Sequence, residues 1–148
     1  MKHYYLAHSR ADQAEVRQLE LGLEKQLGFR LVNPFWDISD KFSWETNANL
    51  NNGHSHNLTD DECDELVDRD FSAIDASDGL VLMALKPAHL IGASMEVLYA
   101  FLSGKPIYVY ARDADIAGHA WLRAFADYIT NDISAFTKHI EEKVRAVG

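Results

Sequence analysis

Gly79-Leu80-Val81-Leu82-Met83-Ala84 is an almost unbroken apolar run, the pattern of a strand covered on both faces. Strands of that kind belong to parallel sheets wrapped by helices. Upstream, His3-Tyr4-Tyr5-Leu6-Ala7 is a second short run, aromatic and apolar, that suits a buried first strand. Ala14, Leu19, Leu23 and Leu27 then recur near helical spacing, and Gly28 stands where a C-terminal cap belongs. Phe29-Arg30-Leu31-Val32, stopped by Asn33-Pro34, reads as the next strand. A strand, a helix and a strand in this order require parallel pairing through a right-handed crossover. Downstream, a loop with Pro87 and Gly92 leads into a helix from about Ala93 to Ser103, ended by Gly104. Pro106-Ile107-Tyr108-Val109-Tyr110 is a fourth strand, and two helical stretches, about 119–129 and 133–147, complete the chain. The expectation is a doubly wound, flavodoxin- or Rossmann-like α/β fold: one parallel sheet flanked by helices. A single domain over residues 1–148 is expected, with the ligand site at the C-terminal ends of the strands.

Residues from about Phe35 to Thr59 interrupt this alternation. Within them, 47–57 is Asn-rich and aperiodic, a loop or lid by composition. Thr59-Asp60-Asp61-Glu62 has the spacing of a capping box, and Leu66, Val67, Phe71 and Ile74 give the helix that follows an apolar face. The 148 residues are 47% hydrophobic and 25% charged, enough for a core without staples. Fourteen Lys and Arg against 23 Asp and Glu leave a net charge of −9, which argues against a nucleic-acid polymer or an anionic membrane as partner. A small nucleotide remains compatible, because backbone amides and one or two side chains hold it locally. Cys63 is the sole cysteine, so neither an internal disulfide nor a multi-cysteine metal site is available. No apolar run approaches the roughly 18 residues of a membrane span, and no signal-peptide core opens the sequence. A soluble, cytoplasmic protein is expected.

Glu96 is the foremost candidate for chemistry. The reading places it in the first turn of the helix after the central strand, beside Gly92, Ala93 and Ser94. There it either complements the helix dipole or presents a nucleophile to a sugar carbon. Asp70, Asp75 and Asp78 form a second group; Asp70 and Ile74 share a helix face, Asp75 points elsewhere, and Asp78 suits a turn before the central strand. Phe35, Trp36, Phe42 and Trp44 crowd one loop, as a satellite core or as a wall for a planar base. His54 and His56 lack an acidic or cysteine partner at metal-motif spacing, so no metal is expected. Glycine-rich dinucleotide, phosphate-loop and nucleophile-elbow motifs are absent, which counts against dinucleotide oxidoreductases, nucleoside triphosphatases and α/β-hydrolases.

In order and spacing, four segments resemble the nucleoside 2-deoxyribosyltransferase superfamily. They are Tyr4-Tyr5-Leu6-Ala7, Arg69-Asp70-Phe71-Ser72-Ala73-Ile74, Ser77-Asp78-Gly79-Leu80-Val81, and Ile91-Gly92-Ala93-Ser94-Met95-Glu96-Val97-Leu98-Tyr99-Ala100, the last running on to Gly104-Lys105-Pro106. The resemblance covers residues 1 to about 110, apart from the Asn-rich loop. It implies cleavage or exchange of an N-glycosidic bond without metal or organic cofactor, Glu96 being the nucleophile, Asp70 its support and Tyr5 a positioning hydroxyl. It also implies a homo-oligomer whose subunits share sites. The sequence departs from the family where a base-contacting aspartate stands before the glycine: Lys86-Pro87-Ala88-His89-Leu90-Ile91-Gly92 has no carboxylate, and His89 is the substitute. No amide follows the fourth strand, leaving His119 as the nearest polar candidate for a residue lent by a neighbour. A related branch hydrolyses nucleoside 5′-monophosphates, and Ser9 and Arg10 stand where that branch holds the phosphate. A non-catalytic nucleotide-binding module is the third alternative.

Overall fold

A computed structural model describes residues 1–43 and 58–146. Trp44, His54, His56 and the Asn-rich stretch 47–57 lie outside the described residues. The chain runs β1 (His3–Ala7), a 3-10 turn (Arg10–Asp12), α1 (Gln13–Leu27), β2 (Arg30–Val32), α2 (Asp60–Asp75), β3 (Gly79–Ala84) and α3 (Ile91–Leu102). It continues through β4 (Ile107–Ala111), α4 (Ala114–Ala117), α5 (Ala120–Phe125), β5 (Tyr128–Thr130) and α6 (Ile133–Arg145). The five strands form one parallel sheet in the order β2-β1-β3-β4-β5. The order reverses direction between β1 and β3, which makes this a doubly wound fold with its switch point there.

Alternation along each strand divides the core into two layers. Tyr4, Leu6, Val81, Met83, Tyr108 and Tyr110 face α1 and α6, meeting Val16, Leu23, Phe136 and Ile140. Tyr5, Ala7, Leu80, Leu82, Ile107 and Val109 face the other way, onto Ile74 of α2 and Ala93, Val97 and Ala100 of α3. All six residues of β3 are buried, as its unbroken apolar run requires.

The local punctuation follows the sequence closely. Gly28 adopts φ 66 and its N–H closes α1 onto Glu24 O at 3.0 Å. Thr59 and Glu62 form the expected capping box of α2, each side chain accepting from the other residue's backbone N–H at 3.1 Å. Lys105 donates from Nζ to Asp75 O (2.9 Å) and Ser77 O (2.7 Å), so the lysine before Pro106 satisfies the carbonyls at the end of α2. Asp78 accepts from His3 N at 2.9 Å, tying β1 to the turn before β3. Gly79 allows a close approach: a Cβ there would lie 2.8 Å from Pro106 O.

Two expectations need correction. Residues 119–129 are not one helix: α5 ends at Phe125, and Tyr128–Thr130 forms β5 against β4. Helix α3 begins at Ile91 rather than Ala93, which places Glu96 in its second turn and leaves the first turn without an acidic residue. The helix dipole is therefore not what favours a carboxylate at Glu96, because the effect fades beyond the first turn.

Candidate active site

Helices α2 and α3 pack side by side over β1, and three chemically able side chains meet between them. Tyr5 is fully buried in β1, and its hydroxyl donates to Glu96 Oε2. Asp70 comes from α2, close enough for its charge to act on both Glu96 and Tyr5. Glu96 and Asp70 keep part of their surface accessible, so a ligand can reach them.

Burial pushes the Glu96 carboxyl up to about 8, and the Asp70 charge adds to the rise; the Tyr5 hydrogen bond and Arg69 oppose it. Asp70 is pushed up to about 6 by burial, against the lowering effect of the Arg69 guanidinium. The Tyr5 hydroxyl is raised well above its ordinary value by burial and then by the Glu96 and Asp70 charges, so it stays protonated and acts as a donor. Two carboxyls in one poorly solvated site do not both ionise easily, and such a pair holds a proton near neutral pH.

Arg69, a neighbour of Asp70 that carries no role in the sequence reading, organises this region. Its Nη1 donates to Asp70 Oδ1 at 3.1 Å and its Nε pairs with Asp40 Oδ2 at 2.8 Å. Its Nη2 donates to Pro34 O and to Ile38 O, the latter at 3.4 Å, and the guanidinium lies 5.9 Å from the Phe42 ring centre. One side chain thus fixes the chain after β2 against α2, next to the Asp70 carboxyl. The only signal in the sequence was the Arg-Asp pair itself, because the accepting carbonyls lie 31 and 35 positions away.

The remaining candidates separate into three groups. Ser9 and Arg10 stand at the 3-10 turn that leads into α1; the Ser9 Oγ and Arg10 Nε are buried without a hydrogen-bond partner, and burial lowers Arg10. Phe35 and Trp36 sit on the segment held by Arg69, Phe35 with its ring centre 5.0 Å from His8 and Trp36 beneath the Arg17 guanidinium at 5.1 Å. Trp36 therefore packs towards α1. Gly92 and Ser94 are exposed in the first turn of α3, the Ser94 N–H being used on Leu90 O at 2.8 Å. His89 is exposed in the preceding loop with φ 57. His119 caps α5, accepting from Trp121 N at Nδ1 (3.3 Å), which is a structural use of the side chain. Asp75 is outside the site, receiving the Tyr99 hydroxyl at 2.9 Å on α2's exposed side. Among the described residues, no three His, Cys, Asp or Glu side chains gather as a metal site would require, and no helix is long and apolar enough to cross a membrane.

Neither a protein-family model nor a curated protein sequence matches this chain. Solved structures do. A 2-deoxyribosyltransferase from Bacillus psychrosaccharolyticus is 14% identical with a TM-score of 0.61, over 94% of this chain and 90% of that one. The CMP N-glycosidase BcmB of Clostridium botulinum is 19% identical with a TM-score of 0.56, over 95% of this chain and 98% of its own. A conserved protein from Enterococcus faecalis is 17% identical with a TM-score of 0.59, over 100% and 99% of the two chains. The fold resemblance read in the sequence is thus present in three dimensions: over nearly its whole length, this chain has the α/β fold of a 2-deoxyribosyltransferase and a CMP N-glycosidase.

Proposed function

We propose that this protein breaks the N-glycosidic bond of a small (deoxy)ribonucleoside or its nucleotide, with Glu96 as nucleophile. The observation that carries the reading is the Tyr5–Glu96–Asp70 group: a buried tyrosine hydroxyl donating to a carboxyl that a second carboxyl flanks, in a fold shared with two enzymes of that chemistry. A Glu96 oxygen forms a bond to the anomeric carbon as the carbon–nitrogen bond to the base breaks. The bonding pair leaves on the base nitrogen, which takes up a proton from solvent. A second base or water then attacks the same carbon, returns a proton to solvent, and releases Glu96. The Tyr5 hydroxyl fixes which Glu96 oxygen is free to attack, and the poorly solvated setting strengthens the carboxylate's attraction for a cationic sugar. Because the nucleophile must be ionised, turnover rises with pH as Glu96 loses its proton.

Hydrolysis of a 5′-monophosphate is the second reading. It is favoured by the buried, unpartnered Ser9 Oγ and Arg10 Nε ahead of α1, polar groups suited to a phosphate. The remaining proposals are that His89 contacts the base, that Phe35 forms its wall, and that His119 is lent to the site of a neighbouring subunit.

The deciding experiment incubates the protein with deoxynucleosides and deoxynucleoside monophosphates, with and without a second free base, and follows products by chromatography. A new nucleoside that disappears in Glu96→Ala supports exchange. Free base from monophosphates alone moves the reading to the hydrolase. Binding without any product in a folded protein overturns the catalytic reading in favour of a nucleotide-binding module.

A further inference from the structure

His8, between β1 and the 3-10 turn that leads into α1, is 5% exposed and has no part in the reaction proposed above. Both of its ring nitrogens are engaged. Nδ1 lies 2.8 Å from Ser9 O, and Nε2 lies 3.3 Å from Asn33 Oδ1. A carbonyl oxygen accepts and never donates, so Nδ1 carries a hydrogen. A neutral imidazole then has a bare lone pair at Nε2, which calls for a donor opposite.

The atom opposite is an acceptor, and its other contacts fix its identity. Asn33 Oδ1 accepts from Phe35 N at 3.0 Å, while Asn33 Nδ2 donates to Glu20 Oε1 at 2.8 Å. Turning the amide over would set its NH2 group against the Phe35 N–H, donor against donor. Both nitrogens of His8 therefore face acceptors, an arrangement that is satisfied when both carry hydrogen. Asn33 is also the hub of the chain after β2. Its N–H donates to Asp37 Oδ2 at 2.8 Å, and its carbonyl accepts from Trp36 N at 3.0 Å and Asp37 N at 2.8 Å. The segment so held carries Phe35, whose ring centre is 5.0 Å from that of His8. It also carries the Pro34 and Ile38 carbonyls that receive Arg69.

We propose that His8 is a positioning residue whose second proton works a clamp. As an imidazolium it joins Ser9 O to Asn33 Oδ1 and holds residues 33–38 against the turn after β1. When the Nε2 proton passes to solvent, a lone pair stands against Asn33 Oδ1 and the segment is released. The charges around the ring set the range. Burial disfavours the cation and Asp12 favours it, burial being the larger, so the clamp closes as pH falls below the ordinary histidine value of about 6.5. The end of β3 faces the same place with two N–H groups, Leu85 and Lys86, which Asp12 Oδ2 accepts at 2.9 and 3.4 Å. Beyond Asn33 stand Glu20 with Arg17 of α1, and Asp37 with Arg30 of β2 at 3.9 Å. Glu20, raised to about 7 by burial, titrates nearby, but its Oε1 accepts from Asn33 Nδ2 in either form. The Phe35 side of the candidate pocket is thus held together in mild acid and loosened towards neutral pH. The inference rests on these contacts and does not depend on the reaction proposed above.

Nitrogen-15 NMR of the whole chain without ligand, from pH 5 to 8, tests it. The signals of His8 are identified among the seven histidines by their loss in His8→Gln. Nδ1 should stay protonated throughout, and Nε2 should gain its hydrogen as pH falls below 6.5. Over the same interval the Phe35 amide should gain about tenfold in protection from hydrogen exchange, after correction for the intrinsic effect of pH. In His8→Gln the side-chain amide offers a donor to Asn33 at every pH, so protection should stay high and flat. His8→Leu fills a similar volume without a donor, so protection should stay low and flat. A His8 that carries a single ring proton across the whole range overturns the proposal. Phe35 protection that does not rise with the Nε2 proton in the wild type overturns it too, whether or not either variant folds. A rise that persists in His8→Leu does the same.

Discussion

Two poorly solvated glutamates on opposite sides of the sheet make an instructive pair. Glu20 lies in α1 and Glu96 in α3, and burial raises both, Glu20 to about 7 and Glu96 to about 8. Their neighbours differ. Glu20 Oε1 accepts from Asn33 Nδ2 at 2.8 Å and Arg17 Nη1 at 3.0 Å, and Asn33 Oδ1 in turn contacts His8 Nε2 at 3.3 Å and accepts from Phe35 N at 3.0 Å. That carboxyl holds the end of β2 and the start of the next segment. Among the described residues Glu96 accepts from Tyr5 alone, and it faces Asp70, an acid that makes its charge more costly. An acid surrounded by donors is a structural joint; an acid beside another acid ionises at a cost, and in the proposed reaction a cationic sugar would offset that cost.

The contrast is broken most directly by Glu96→Gln. Turnover should fall by at least about 10³-fold, since the proposed nucleophile would have no substitute. The same change should stabilise the protein at alkaline pH. A glutamate raised from its ordinary 4.5 to about 8 binds its proton more tightly when folded, so its contribution is complete below pH 4.5 and is lost as pH climbs to 8. Thermal melts should therefore favour Glu96→Gln over wild type at pH 8, by on the order of 2 kcal/mol, with the advantage gone at pH 4.5.

Glu20→Ala should behave in the opposite manner. It strands Asn33 Nδ2 and opens a buried gap, so denaturant titration should show a loss of about 3 kcal/mol while the folded fraction keeps its turnover. A loss of turnover in the folded fraction would mean the joint is part of the site.

Arg69→Gln comes next. Losing the clamp should cost about 2 kcal/mol in the same titration, since Asp70 and Asp40 lose a shared cation. It should also move the acid limb of the pH–rate profile upward, because Arg69 holds both carboxyls down.

Asp70→Asn is the smallest and sharpest test. Removing the neighbouring charge lowers Glu96, so the acid limb of kcat/KM should shift to lower pH by about one unit. An unmoved limb would show that the two carboxyls do not share a proton.

The sequence made most of the sheet legible because its signals are local and repeated. An unbroken apolar run can only be β3, and Gly28 and Thr59 mark helix ends through their own backbone chemistry. β5 escaped notice for a physical reason: Tyr128–Thr130 is three partly buried residues at the sheet edge. Its apolar residues continue the helical spacing of Leu122 and Phe125, so the stretch reads as one helix. Of the candidate site, Glu96 was singled out by its place after the central strand, and Tyr5 and Asp70 by the family resemblance; the three lie together in the fold. Arg69 was not, because a charged residue on a helix looks like solvated surface until the carbonyls of Pro34 and Ile38 fold onto it.

The place of β1 inside the sheet has a consequence for how the protein comes into being on the ribosome. The partner of the Tyr5 hydroxyl lies 91 positions later in the chain. β1 pairs with both β2 and β3, so it cannot be seated until β3 has emerged. A nascent chain that stops short of α3 has a tyrosine with nothing to position and an unpaired strand edge to shield. Contacts this distant in sequence form slowly and cooperatively. The group of Tyr5, Asp70 and Glu96 is therefore assembled only once β1, α2 and α3 have all been made.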